Sequence, residues 1–453
     1  MLFRSAGAMM IPANEPWLAQ VPAEWRSRRI RTVAQLSPGY SDGAPAADEA
    51  CTVVPMELVS EDGKLDASDA VAFSDVSSGL TLFESGDVLF AKITPCMENG
   101  KGALVERLPT RYAFGSTEFH VLRPNHEVVP KFLYYYAFNP TYRAYAAANM
   151  VGAAGQKRVS SRFLKDTRLF VPEVGQQAQI AAFLDSSCLA IDAAVSAKRL
   201  QLKALDELRS TTITRAVTLG LNRDAKMRPS GIDWLPAVPA HWQVQRVKRK
   251  CTLVRGQFTH RPRNDPALYE GPYPFVQTGD ITAAGKYIRT YSQTLNELGL
   301  SVSKRFPKGT LVMSIAANIG DVAILDFEAC FPDSMIGMIP GRKTNLDFLY
   351  YLMRAMRGIL LRSAVLSTQL NLNYVRIGTN FAPFPPLPEQ ATIAEFLDEK
   401  EREFRAIIAT NEAQIDALTA YRRSLIHECV TGQRRITEAD LKRVKVHAQK
   451  EAA

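Results

Sequence analysis

Two stretches decide the architecture: FVPEVGQQAQIAAFLD at residues 170–185 and FPPLPEQATIAEFLD at residues 384–398. Gln177 and Gln390, Ile180 and Ile393, and the closing Phe-Leu-Asp fall in step, each pair 213 residues apart. Both stretches pass into a long run without Gly or Pro, residues 176–219 in one copy and 389–431 in the other. Pro172 precedes the first run, and Pro385, Pro386 and Pro388 precede the second, where they block helix. Gly220 and Gly432 follow the far ends. Proline before and glycine after is the ordinary asymmetry of a helix. At ~1.5 Å per residue each predicted helix runs about 65 Å, too long to be buried in a small domain.

Steps of four and three along the first helix pick out Leu184, Cys188, Ile191, Val195, Lys198, Leu202, Leu205, Arg209, Thr212 and Ala216. The same steps 213 residues later pick out Leu397, Glu401, Phe404, Ile408, Asn411, Ile415, Leu418, Arg422, Leu425 and Cys429. Seven of ten positions are apolar in each copy, a narrow seam of coiled-coil type. Two such seams in one chain predict that the helices pair with each other, antiparallel if a two-fold axis relates the copies. Lys198 and Asn411 are equivalent polar interruptions near the middle, the kind that fixes register at some cost in stability. Leucine at both positions is therefore expected to raise thermal stability while loosening register. Cysteine cross-linking along the helices should then report several registers, and a single unchanged register would refute the role.

Further pairs make the whole chain a tandem duplication. WLAQVPAEW (17–25) returns as WLPAVPAHW (234–242), and these copies hold all four tryptophans. GDVLFAKIT (86–94) answers GTLVMSIAA (309–317), KFLYYYAF (131–138) answers DFLYYLMR (347–354), and AVT (216–218) answers CVT (429–431). Offsets between 213 and 223 imply one duplicated unit rather than a short solenoid repeat. Each copy opens with about 150 residues of short strand patterns, Gly/Pro/Asn punctuation and brief helical stretches. The expected fold is α+β: two mixed α/β domains separated by two long helices forming an antiparallel coiled coil, with an internal pseudo-two-fold. The expected boundaries are 1–16 for an N-terminal segment, 17–172 for the first domain, 173–222 for the central helix, 223–383 for the second domain, 384–432 for the distal helix and 433–453 for a basic tail.

The 453-residue chain has the composition of a soluble globular protein, 46% apolar and 22% charged. No apolar run approaches the ~20 residues that cross a bilayer, and the start reads as no cleaved signal, so a cytoplasmic protein is expected. Six cysteines lie singly, without CxxC or a His pair at ligand spacing, which points to reduced thiols and no metal site. The net charge of +9 is uneven. Residues 235–383 carry 18 Lys and Arg against 9 Asp and Glu, and residues 85–170 carry 12 against 6. Two basic regions suggest two surfaces facing a polyanion.

Domain, long helix, domain, long helix, with the L-P-E-Q-x-x-I-x-x-F-L-D opener, the W…P…W start and LSTQLNLN before the second opener, resembles the specificity subunit of type I restriction–modification systems. The likeness covers nearly the whole chain. It departs in the first copy, where PEVGQQ stands for PLPEQ and GAAGQKRVS for the polar loop. The resemblance implies that each domain is a target-recognition domain reading one half of a bipartite, asymmetric DNA site, and that the helices are a spacer. It implies two DNA methyltransferase (modification) subunits as partners, with restriction (translocase/nuclease) subunits able to join them. The chain itself would need no cofactor: S-adenosylmethionine would sit on the methyltransferase, and ATP and Mg on the restriction subunit. A pseudo-two-fold pair of readers on a rigid rod suits the pseudo-two-fold symmetry of DNA.

Phosphate contacts need Lys and Arg, and base edges need Arg, Lys, Asn, Gln, Ser and Thr. In the second domain Thr368, Gln369, Asn371 and Asn373 of STQLNLN offer hydroxyl and amide groups, against the plain alternative of a polar strand. Gln156, Lys157 and Arg158 form the counterpart at a glycine-rich bend. Arg255, Arg261 and Arg263 of RGQFTHRPRN suit backbone or groove contact, or a solvated loop. Lys92, Thr94, Asn99 and Lys101, with Asn318 opposite them in the second copy, lie in Gly-containing turns that could simply close hairpins. The tryptophan pairs read as packing against helix ends.

Catalysis has little support. Asn139-Pro140-Thr141-Tyr142 superficially resembles the N-P-P-Y motif of amino-group methyltransferases, but the middle proline is missing and the second copy has no counterpart. It reads as a break between helices. No GxxxxGK[ST], HExxH or GxSxG occurs. A non-catalytic DNA reader stands first. A stand-alone DNA-modifying enzyme (methyltransferase or nuclease) and a coiled-coil scaffold without DNA binding are the alternatives.

Overall fold

The computed structural model describes residues 9–153, 155–316, 318–362 and 374–443. It is an α+β chain of two compact units, Met1–Lys198 with Ala413–Ala453, and Arg199–Glu412. The division falls within both long helices, Val174–Leu219 and Leu387–Val430, so each unit holds one mixed domain and a stretch of each helix.

In the first unit Phe119–Pro124 lies between Ala34–Leu36 and Val88–Ala91, with Gly102–Leu104 outside, all antiparallel. A second four-stranded sheet runs Ala70–Ala72, Ala50–Val54, Ala113–Gly115, Thr81–Phe83, with one parallel pair. The second unit also holds two main sheets, one of five strands with a parallel pair at its end and one of four. Met335–Pro340 lies between Cys251–Arg255 and Leu311–Ser314, followed by Val322–Leu325 and Tyr287–Ile288. Its other sheet contains Gln293–Leu295, Tyr269–Phe275, Ala329–Cys330 and Arg305–Phe306. Strands buried on both faces explain the apolar runs VLFA and LVMS.

The helix opener is an anchor. The strand that leads into each long helix pairs with the segment after the tryptophan motif: Arg168–Val171 with Arg26–Arg29, and Phe381–Phe384 with Gln243–Arg246. Gln177 and Gln390 are buried. Gln177 accepts from the Val129 amide at 2.9 Å and donates to the carbonyls of Glu127 and Pro172. Gln390 accepts from the Asn345 amide at 2.8 Å and donates to the carbonyls of Lys343 and Pro385. One side chain thus binds three backbone groups and ties the helix start to a second, distant segment in each unit. At the far ends Gly220 and Gly432 adopt φ of +76° and +75°, and a Cβ there would approach Trp242 and Trp25 respectively. The tryptophans at these positions do pack on helix ends.

Within the first unit, Phe183 lies under Arg434 and Asp192 pairs with Arg422. Within the second, Arg209 pairs with Glu401 and Gly220 sits near Glu389. In each unit the helical segments therefore run in opposite directions. Among the seam positions, Leu184, Ile191, Leu397, Phe404 and Asn411 are buried, while Lys198, Leu202, Leu205, Ile415 and Leu418 are half-buried. Asn411 donates to its own helix at the Ile407 carbonyl, and its Oδ1 has no hydrogen-bond partner among the described residues.

Several expectations need amending. Met10–Glu15 pairs with Leu18–Pro22, so the first domain's hairpin starts before residue 17. Pro388 lies in the first turn of its helix rather than upstream, where the missing N–H has no intrahelical acceptor to lose. The start of the expected tail belongs to the first unit, with Ile436 in its core. The Val174–Leu219 helix is also long and apolar enough to cross a membrane by length and composition, contrary to the expectation of no such run. Its apolar stripe is occupied by protein instead: Ile180, Leu184, Cys188, Ile191 and Val195 belong to a core with Phe132, Tyr136, Leu425 and Val430. Asp185 on that helix accepts from the Tyr135 hydroxyl and pairs with Lys131. None of the six cysteines is in a disulfide.

Candidate nucleic-acid interface

In the first unit the backbone joins two of the sequence-selected loops. The Thr94 amide donates to the Lys157 carbonyl at 2.9 Å, and Ile93 and Val151 both bridge to Arg158. Lys92, Thr94, Gln156, Lys157 and Arg158 thereby form one group, with Gln156 and Lys157 exposed. Arg158 makes a two-pronged contact to Glu118, from Nε at 3.0 Å and Nη2 at 2.7 Å. Hydrogen bonding from Arg158 holds the Glu118 carboxyl below its usual range. Nearby, His120 Nε2 donates to the Val159 carbonyl at 2.8 Å, and burial pushes the pKa of this ring down.

Two of the selected residues lie apart from this group. Lys101 turns inward, its Nζ donating to the Met56 carbonyl at 3.0 Å. Asn99 lines a cavity of about 390 Å³ with Tyr134, Arg143 and Arg422.

In the second unit three arginines converge on Asp333. The Arg255 Nε donates to the Asp333 carbonyl at 2.8 Å, and its Nη2 lies 4.0 Å from the carboxylate. Arg261 Nη2 lies 3.9 Å from the same carboxylate, while its Nη1 is held by the Phe258 and His260 carbonyls. Arg263 pairs with Asp333 directly. The three arginine side chains are about half exposed, leaving a net positive cluster on the surface. Asn318 lies apart from it: its amide donates to Thr282 Oγ1 at 2.9 Å, and it lines a cavity of about 760 Å³ with Arg209, Arg354 and Glu401. Thr368, Gln369, Asn371 and Asn373 lie outside the described residues.

Sequence reading missed Glu118 and Asp333. The signal was an acidic residue just before the strand next to the edge of one sheet in each unit, in TEF and PDS, which a search for cations and amides passes over. The NPTY segment has a structural job. Asn139 caps the helix Pro140–Ala148 by accepting from Thr141, and Tyr142 is buried edge-on against Trp17. A buried tyrosine and a capping asparagine are committed to holding the fold together.

The chain matches the family model described as type I restriction modification DNA specificity domain over residues 72–200 and 242–417. It is similar to the type I restriction enzyme EcoAI specificity subunit of Escherichia coli, 32% identical over 167 residues, 36% of this chain and 27% of that protein. It is also similar to the EcoEI specificity subunit of Escherichia coli, 28% identical over 210 residues, 46% of this chain and 34% of that protein. The match thus spans less than two thirds of either relative. A putative type I restriction enzyme MjaX specificity subunit from Methanocaldococcus jannaschii aligns at 22% identity over 84% of this chain and 87% of its own. Among solved structures, a chain from work on complex assembly and conformational transition of the type I R-M system superposes with a TM-score of 0.74 at 18% identity, covering 91% of this chain and 99% of that one. The HsdS subunit from Thermoanaerobacter tengcongensis gives 0.55 at 18% identity, covering 91% and 98%. These two likenesses establish the fold.

Proposed function

This chain belongs to the family of type I restriction–modification DNA specificity domains, and on that premise we propose that it is the non-catalytic DNA reader of a type I restriction–modification complex. Each unit's domain reads one half of a bipartite, asymmetric site. The long helices form an antiparallel coiled coil within a pseudo-two-fold duplication, set the spacing between half-sites and dock two methyltransferase subunits. Restriction subunits join that assembly. S-adenosylmethionine belongs to the methyltransferase, ATP and Mg to the restriction partner, and the complex works in the cytoplasm on double-stranded DNA.

The observation that carries this reading is the recurrence of one plan in both units: a glutamine-anchored long helix beside a domain that displays clustered arginine and lysine. The residues proposed to contact DNA are Lys92, Thr94, Gln156, Lys157 and Arg158 in the first domain. In the second they are Arg255, Arg261 and Arg263, together with Thr368, Gln369, Asn371 and Asn373 of the polar loop. Asn99, Lys101 and Asn318, the remaining residues read from the sequence as DNA contacts, lie outside these groups.

Methylome sequencing of cells with and without the gene tests the proposal. A bipartite methylated motif should vanish on deletion, and methyl transfer by this chain alone would overturn it. Lys157→Ala is expected to lower affinity for all duplexes alike and to flatten the slope of log affinity against log salt by about 0.9, the effect of one lost phosphate contact. Titration by fluorescence anisotropy at several salt concentrations measures both.

A further inference from the structure

Every base-reading protein must also avoid being held by the phosphates of the wrong sequence. Both units contain a device suited to that task. In the first, Glu118 immediately precedes Phe119–Pro124, the strand next to the edge strand Ala34–Leu36, and grips Arg158 through both carboxylate oxygens. In the second, Asp333 precedes Met335–Pro340, the strand next to the edge strand Cys251–Arg255, by two residues and gathers Arg255, Arg261 and Arg263. The position in the sheet is the same, and so is the chemistry.

A carboxylate and a phosphate offer guanidinium the same pair of anionic oxygens, so one competes with the other for a fixed set of donors. Asp333 is about one third exposed and its three partners about half exposed, so the pairs are open to solvent and to an incoming anion. Exposed pairs of this kind are weak, which makes exchange feasible. Arg261 is additionally held by two backbone carbonyls, so its guanidinium stays in place when the carboxylate lets go.

We propose that Glu118 and Asp333 are built-in counter-ions: they occupy the arginines in the free protein and must be displaced by DNA, which lowers affinity for every duplex and leaves firmly bound only those that add matching base contacts. The proposal rests on the DNA-reading function above and adds how each reader rejects non-target sequence. On target DNA the base contacts offset the displacement, while elsewhere nothing does. The carboxylates therefore set a threshold of affinity without touching a base.

The test uses the full chain with Asp333→Asn and, separately, Glu118→Gln. Both substitutions keep shape and remove charge, and thermal melting checks that each variant folds. Binding is measured to a random-sequence duplex and to a duplex carrying the motif from the methylome. Each variant should bind both the random duplex and the motif ~3- to 10-fold more tightly, with a salt slope steeper by up to about one, so that non-target binding persists to higher salt. Unchanged affinity for the random duplex would overturn the proposal. So would an equal loss on both duplexes, which would make the carboxylates mere supports for the arginines. If the unaltered chain binds no duplex at all, the function proposed above fails instead. Should one variant not melt cooperatively, the other decides, since the two units carry the device independently.

Discussion

Replacing Gln390 with leucine is expected to cost the second unit about 3–5 kcal/mol of stability. Leucine fills nearly the same space but can neither accept from the Asn345 amide nor donate to the carbonyls of Lys343 and Pro385. Each buried polar group left alone costs about 1–3 kcal/mol. The loss also propagates, because Asn345 caps the Leu346–Arg362 helix by accepting from the Phe348 amide at 2.9 Å. Gln390→Glu sharpens the expectation. Its carboxylate keeps the acceptor for Asn345 but sets a negative charge against two carbonyl oxygens. That variant should be at least as unstable at neutral pH and should partly recover as pH falls, since the protonated carboxyl can donate one bond. Urea unfolding followed by hydrogen exchange at the Asn345 amide reads the effect. A loss below about 1 kcal/mol would mean that the three backbone groups find other partners. Gln177→Leu should act the same way in the first unit, through Val129, Glu127 and Pro172.

This glutamine also shows how far the sequence could be read. Its repetition was visible, as were the proline before and glycine after each helix, because helix boundaries are encoded locally. The seam was visible for the same reason, since a period of alternating fours and threes needs only one chain segment. What the glutamine does was not visible, because two of its three partners lie 45 to 50 residues away in a different element. The domains were legible only as strand-rich. Strands of two to seven residues carry too little period to give their order in the sheets. Among candidate site residues, cations were found by type and their grouping was not. Thr94 and Lys157 meet through a backbone hydrogen bond, and Asp333 gathers arginines that lie 70 to 78 residues earlier in the chain. Glu118 and Asp333 went unnoticed because an acidic residue, judged by type alone, speaks against a DNA surface.

Glu401 is the seam position where type misled most, a carboxylate where the pattern asks for an apolar side chain. Its side chain is 3% exposed and is held by Arg209, 2.8 Å from Nε, and by Arg354 at 3.0 Å. Burial pushes its carboxyl up, but hydrogen bonds and charge from the two arginines outweigh burial and hold it below its ordinary value. Glu401→Ala is expected to destabilise the second unit by about 2–4 kcal/mol. A broken buried pair typically costs about 3–5 kcal/mol, and water can reach the partly exposed arginines it leaves behind. Glu401→Met should cost less than alanine, because it refills the space and removes the cavity term, although both arginines still lose their partner. The pH dependence has a definite sign. A carboxyl whose folded pKa is depressed contributes stability above its unfolded pKa and loses it as pH falls through the folded value. Stability of the unaltered chain should therefore decline below the normal carboxylate range, and Glu401→Met should show a shallower decline there. Parallel urea titrations at neutral and acidic pH compare the two chains. Equal acid sensitivity would show that the triad contributes no net stability, and that Glu401 serves only to place the arginines against the long helix.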